Sequence, residues 1–301
     1  MLRLDKVQQR VKKLNSFILI LLSPWIIGFF LLFLTPLIWS AYYSFTKFSI
    51  LDPPKWIGLE NYRYAFMDDP YFWPALKNTL WVMLTTTPLR IIIALVITFY
   101  LQNMRRFQKS LLVIISLPVI LPSVATLLGF KKLFNPNNGL INLILQKLGI
   151  DNPPLWFVTP NGSKWGYVLV MLWGVGDAVL LYLAGVTRIQ VNILDAARMD
   201  NISIKTQFIF IVLPLLSPLI LFSAILGTVT ATQNFTSSVI LNSSLDNQSS
   251  LYFLSTHLYV EGYKYFYMGY ASALGWIMAI STLLVITLII WTGRFWVKRL
   301  V

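Results

Sequence analysis

Residues 14–46 read LNSFILILLSPWIIGFFLLFLTPLIWSAYYSFT, a run without a single charged side chain. It follows a basic start carrying Arg3, Lys6, Arg10, Lys12 and Lys13. The apolar core of a secretory leader is about 7–15 residues long, so this run predicts a retained membrane helix. Pro24 and Pro36 inside it are tolerable in lipid, where neighbouring groups re-satisfy the carbonyls that a proline frees.

Working outward, further apolar runs cover about 78–103, 110–130, 166–185, 206–229 and 270–291, each long enough for a hydrocarbon core of about 30 Å. The composition agrees: of 301 residues 57% are apolar and 12% charged, against about 25% charged in soluble domains. The pattern predicts an all-α membrane protein of about six transmembrane helices. Residues 1–13 form a basic cytoplasmic N-terminus and 14–301 a single transmembrane domain, with a cytoplasmic loop at 186–205.

Charge placement sets the expected orientation. The termini, the 105–109 turn and the 188–205 loop hold 14 Lys and Arg against 3 Asp, while the opposite loops hold 9 basic and 7 acidic residues. By the positive-inside rule the first side, with both termini, is cytoplasmic. Trp56, Trp73, Trp156, Tyr263, Tyr265 and Tyr267 in the opposite loops suit a membrane interface. Leu140, Ile141, Ile144, Leu145 and Leu148 follow Pro136 and Gly139 at helical spacing and predict a short helix on the outer surface.

Several chemistries are excluded by what is missing. There is no cysteine and one histidine, His257, so no thiolate site, disulfide or metal-ligand cluster is expected. No Gly-x-x-x-x-Gly-Lys-Ser/Thr loop is present to cradle a nucleotide, and Gly174-Val175-Gly176 lacks the strand and helix of a dinucleotide site. The net charge of +13 follows membrane topology rather than a basic stripe with interleaved aromatics, so no nucleic-acid partner is expected. No catalytic constellation stands out, and the chain reads as a non-enzyme.

The 186–205 loop contains Asn192-Ile-Leu-Asp195-Ala196-Ala197-Arg-Met-Asp200-Asn201, followed by Leu213-Pro214-Leu215 and Pro218. Asn192 suits an N-cap with Asp195 three residues on, close to a capping box. Ala196 and Ala197 offer a low-profile face to another protein, and Asn201 tolerates the left-handed backbone that ends a helix. By itself this describes either a docking helix or an ordinary connector.

This segment resembles the EAA loop of ABC importer permeases, with Asp195 in place of the usual Glu, Asn201 in place of the usual Gly, and Gln190 where the family has a proline. Leu213, Pro214, Leu215 and Pro218 match directly. The segments Trp56–Tyr62, Phe72–Thr79, Leu117-Pro118 with Pro122, Leu133–Pro136 with Gly139 and Asn142, and Gly269–Ala273 are similar to the first permease of carbohydrate importers. The resemblance implies a bacterial inner-membrane permease for a sugar or related solute. It implies that Asn192, Asp195, Ala196, Ala197, Asp200 and Asn201 contact an ATPase. The implied partners are a second homologous permease, two ATPase subunits that carry ATP and Mg, and an extracellular solute-binding protein.

Two ionisable groups, Arg90 and Asp177, fall inside spans, where they cost several kcal/mol and mark functional candidates. They either pair with each other or act separately. Asp177, in Trp173-Gly-Val-Gly-Asp, suits sugar hydroxyls as an acceptor or serves as a structural partner. Thr230, Gln233 and Asn234 place hydroxyl and amide groups at the outer end of the fifth span, either for solute hydroxyls or for helix-to-helix hydrogen bonds. The path set is therefore Arg90, Trp173, Asp177, Thr230, Gln233 and Asn234. Its rivals are an ion-coupled relay through Arg90 and Asp177 and a non-transporting membrane scaffold.

Overall fold

The computed structural model describes residues 20–104, 107–242 and 249–297. The basic segment 1–13 lies outside the described residues. Among those described, four helices are long and apolar enough to cross a membrane, and two bent helix pairs bring the number to six when each pair counts as one span. The chain divides into two compact units, 1–64 with 261–276, and 65–260 with 277–301.

In the first unit, helix α1 (Ile20–Ser44) is apolar throughout, and the window that spans lipid is 0% buried within the chain. Pro36 has no N–H and its ring crowds the preceding turn. The helix widens into a π turn at Phe29–Leu34, where the Thr35 N–H reaches back to the Phe30 carbonyl. After α1, strand β1 (Thr46–Lys47) pairs antiparallel with β2 (Lys55–Trp56), Thr46 opposite Trp56. Asn61 Nδ2 donates to the Ser44 and Thr46 carbonyls, both at 2.9 Å, and the Tyr62 hydroxyl to Ser44 Oγ at 2.8 Å. The Gly269 N–H donates to the Phe48 carbonyl at 3.0 Å. These residues of the Trp56–Tyr62 and Gly269–Ala273 segments are scaffold ties.

The second unit is built on α2 (Phe72–Asn103). Its remaining helices are α3 (Gln108–Ile120), α4 (Ser123–Leu133), α5 (Leu140–Lys147), α6 (Pro160–Trp173), α7 (Gly176–Thr187), α8 (Val191–Met199), α9 (Ile204–Thr232), α10 (Phe235–Leu241), α11 (Leu254–Tyr259) and part of α12 (Met268–Trp296). One core joins α2, α7 and α9 through Ala94, Val179, Tyr182, Val212 and Leu216. Another joins α2, α4, α6 and α10 through Val82, Leu127, Tyr167 and Leu241. The exposed apolar faces that remain are what a chain solvated by lipid presents.

The third span differs from a single helix over 110–130. Leu121, which precedes Pro122, adopts extended backbone at ψ 140°, as a residue before proline does. Helices α3 and α4 therefore meet at 98°. At about 1.5 Å per residue, α3 is about 20 Å long and does not cross a core of about 30 Å alone. The expected amphipathic helix after Gly139 is present as α5. Asn142 on it is buried, donating to the Pro136 and Pro154 carbonyls and accepting from Trp156 Nε1 at 2.7 Å. Trp156 thus serves as a packing tie rather than an open interface anchor.

His257, the one histidine of the chain, sits in a buried polar cluster. Its Nε2 lies 2.7 Å from Asp69 Oδ2 and its Nδ1 lies 3.0 Å from the Tyr252 hydroxyl, while Asp69 Oδ1 accepts the Tyr71 N–H. Asn78 donates to the Tyr252 carbonyl and Thr79 Oγ1 accepts the Leu254 N–H. Together these bonds lock the start of α2 to α11. Replacing His257 by Ala removes the partner of Asp69 Oδ2 within a buried site, which costs about 2 kcal/mol. The detergent-solubilised chain is therefore expected to show a clearly lower thermal midpoint, and an unchanged midpoint would contradict the role assigned to the cluster.

Candidate functional site

The fourth span carries the polar centre. Its pattern is broken at Gly174-Val175, and α6 and α7 meet there at 44°. The break leaves a helix C-terminus and a helix N-terminus facing each other, each with backbone groups that lack helical partners. Arg90, reaching from α2, donates to the Gly174 carbonyl at 3.2 Å, and Asp177 Oδ1 accepts the Ala178 N–H at 2.6 Å. A cation thus stands at the end of α6 and an anion at the start of α7, the placement that both helix dipoles favour. Arg90 Nη2 also donates to Asp177 Oδ1, so the two intramembrane charges pair. Gly176 lets the start of α7 lie directly against α3, since a Cβ there would stand 2.2 Å from the Ile115 carbonyl oxygen.

The pair is not sealed: the Arg90 and Asp177 side chains are 28% and 52% exposed. They open on a cavity of about 300 Å3, lined also by Thr87 and Ile91 of α2, Leu181 of α7, and Phe222, Ser223, Gly227 and Thr230 of α9. A smaller cavity of about 90 Å3 is lined by Thr86, Thr87, Arg90, Met171, Gly227, Thr230, Ala231 and Asn234. A paired carboxylate and guanidinium, hydroxyls and an amide set against Ile, Leu and Phe faces are suited to a solute with hydroxyls on its edges and apolar ring faces.

Arg90, Asp177, Thr230 and Asn234 of the expected path set thus come together. Trp173 does not join them; it packs edge-on against Phe130 with ring centroids 5.7 Å apart. Gln233 ends α9, its N–H on the Thr230 carbonyl, and lines neither cavity. Thr87, Ser223 and Gly227 are wall residues that the sequence reading passed over. For Ser223 and Gly227 the signal is a stripe of small and polar residues at 223, 227, 230 and 234, the spacing of one helical face.

The second candidate site is α8. Asn192 is not its N-cap: the helix starts at Val191, two residues before an N-cap at 192 would start it, because the Ile193 N–H closes on the Gln190 carbonyl at 3.1 Å and places Asn192 in the first turn. The end is as expected. Asn201 has φ +53° and the Ile202 N–H returns to the Ala197 carbonyl at 3.1 Å, the long bond of a left-handed helix stop. Asp195 and Asp200 are exposed. Ala197 is 4% exposed and packs into its own chain, so it offers no face to a partner. The side chain of Ala196 lies outside the described residues. Gln207 Nε2 donates to the Leu194 carbonyl at 3.3 Å, and Ser203 caps the start of α9, which ties the two helices together.

No family model matches the chain. Over 297 residues it is 34% identical to the probable ABC transporter permease protein YesP of Bacillus subtilis (strain 168), covering 97% of this chain and 95% of that protein. It is 28% identical over 275 residues to the arabinooligosaccharides transport system permease protein AraP of the same organism, covering 89% and 85%. In fold it is similar to a chain of a bacterial alginate ABC transporter solved in complex with alginate pentasaccharide-bound periplasmic protein. That likeness has a TM-score of 0.80 at 21% identity and covers 93% and 94% of the two chains.

Proposed function

The chain belongs to the ABC transporter permeases, and from that membership we propose that it forms half of the translocation path of an ATP-driven importer for sugars or related solutes. The observation that carries this reading is the cavity walled by α2, α7 and α9 around Arg90 and Asp177. Thr230 and Asn234 extend it toward the end of α9. Such groups match hydroxyls one by one without the cost of desolvating an unbalanced charge.

In this reading residues 14–301 work as one permease domain in a bacterial inner membrane, both termini cytoplasmic. The chain carries no reaction itself. Two ATPase subunits hold ATP and Mg, a second homologous permease completes the path, and an extracellular solute-binding protein delivers the sugar. Segment 186–205 is the coupling loop, with Asn192, Asp195, Asp200 and Asn201 on α8 and its stop meeting the ATPase. Neither nucleic acid nor a resident metal has a role; lipid is the remaining partner. Transport is alternating access, with nucleotide shifting the equilibrium by its differential affinity for the two states.

The direct test is affinity purification of the chain from its native membrane in mild detergent, with mass spectrometry of co-purifying chains and an ATPase assay. Recovery of an ATPase, a second permease and a solute-binding protein is expected; recovery of the chain alone, without ATP turnover, would overturn the assignment. For the path, Asp177→Ala combined with Asn234→Ala removes two solute contacts worth about 1 kcal/mol each. Uptake is expected to fall at least about tenfold while the ATPase remains bound. Wild-type uptake by the assembled double variant would sink this placement. For the joint, Asp195→Lys reverses an exposed charge in the middle of α8. The complex is expected to assemble and hydrolyse ATP with uptake lost, whereas normal coupling would refute the contact.

A further inference from the structure

The larger cavity carries an aromatic side chain that the core of its unit does not absorb. Phe222 lines it from α9 and is 49% exposed. It is the one aromatic among the described residues that wall either cavity. Leu219 and Ile220, its neighbours on α9, pack into the core that joins α2, α7 and α9, and Phe222 is not among the members of that core. Nor does it stack on another ring among the described residues. Asp177 stands on the wall of the same cavity with its side chain 52% exposed. Its Oδ1 accepts both the Arg90 guanidinium and the Ala178 N–H, while Oδ2 accepts no hydrogen bond from the described residues. One cavity thus presents an open aromatic face and an unshared carboxylate oxygen.

We propose that Phe222 is the platform on which this chain seats its solute, and that the solute is a ring-form sugar rather than an open-chain polyol. The inference rests on the reading that this cavity belongs to the solute path. A sugar ring is amphipathic: hydroxyls stand around its rim, and C–H groups gather on its faces. An aromatic ring is a large apolar surface with a negative face, which suits the weakly positive C–H face of a sugar. The carboxylate is an acceptor only, so Oδ2 takes a rim hydroxyl. An alditol with the same hydroxyls has no face to lay on Phe222, and holding its freely turning chain in one shape costs more entropy. At about 300 Å3 the cavity is of a size that holds a small ligand. A phenylalanine that met only lipid would differ little from leucine, since lipid tails are as apolar as that side chain. Substitution at this position therefore separates the two roles.

Uptake is measured in cells with this chain deleted and then restored. The radiolabelled panel holds mono- to trisaccharides of glucose, galactose, xylose, arabinose, rhamnose and galacturonic acid, with glucitol, galactitol and xylitol as open-chain counterparts. Uptake of a ring sugar is expected to depend on the chain, and that sugar becomes the probe for two variants. Phe222→Leu keeps the position apolar and removes the ring, whereas Phe222→Tyr keeps the ring. With rates normalised to the amount of chain in the membrane, Phe222→Leu is expected to lower uptake at saturating probe about fivefold, the worth of one aromatic contact. Phe222→Tyr should stay close to wild type. A Leu variant that transports no worse than the Tyr variant would overturn the platform and leave the path standing. Chain-dependent uptake confined to the alditols would overturn the ring-sugar assignment, again with the path intact. If uptake of nothing in the panel depends on the chain, the sugar path and this inference fall together.

Discussion

The bond from Arg90 to the broken fourth span is the interaction on which the polar centre depends. A helix interrupted at membrane depth exposes backbone groups that water cannot reach, and irregular backbone survives there only when protein or a wet cavity satisfies it. Arg90 meets the Gly174 carbonyl at the end of α6, and Asp177 meets the Ala178 N–H at the start of α7. Each charge is held by a helix end of opposite polarity as well as by the other charge, which offsets desolvation that neither would bear alone. The break, the pair and the cavity are thus one arrangement: remove the kink and the two charges lose their reason to be in the membrane.

Proline placement gives the rest of the membrane unit its shape by a related route. Pro36 follows the π turn at Phe29–Leu34, and Pro214 follows another at Phe208–Val212, where the Leu213 N–H returns to the Phe208 carbonyl. In both helices a wider turn precedes the proline and gives its ring room, and α1 and α9 continue, as α2 does through Pro88 without one. Pro122 has no such turn and follows a residue in extended backbone, so α3 and α4 part at 98°. The same residue type sits inside a continuous helix at Pro36, Pro88 and Pro214 and beside a corner at Pro122.

Much of this was legible in the sequence. Apolar runs located the four long helices and the two bent pairs, the two midspan charges lie at the cavity, and Asn201 marked the end of α8. The corner at Pro122 was hidden because the apolar run continues through it, and hydropathy does not register backbone direction. The start of α8 was misplaced because Asn192 has the better capping side chain, yet the turn closed on the Gln190 carbonyl. Ala197 looked like a docking face because a small residue suits either a close partner or a close packing within the chain; burial decides, and composition does not carry it. His257 looked isolated because Asp69 is far from it in sequence, and only the meeting of α2 with α11 brings them together. The stripe Ser223, Gly227, Thr230 and Asn234 was readable by period, but a glycine carries no polar group to mark it.

A coupling joint is useful only if its displacement reaches the path with little loss. Helix α8 ends in a hydrogen-bonded stop, and Gln207 ties the first turn of α9 to the Leu194 carbonyl. From Ile204 the same helix runs without interruption to Thr232, carrying Phe222, Ser223, Gly227 and Thr230 on the cavity wall. Packed helices switch between discrete arrangements more readily than they bend continuously, so on the proposed function a shift imposed at α8 would reach this wall through α9. Arg90 and Asp177 stand on α2 and α7, the opposing walls. On the proposed function, the position of α9 against that pair is what a nucleotide-driven displacement at the cytoplasmic loop would change, and the solute would be held or released accordingly.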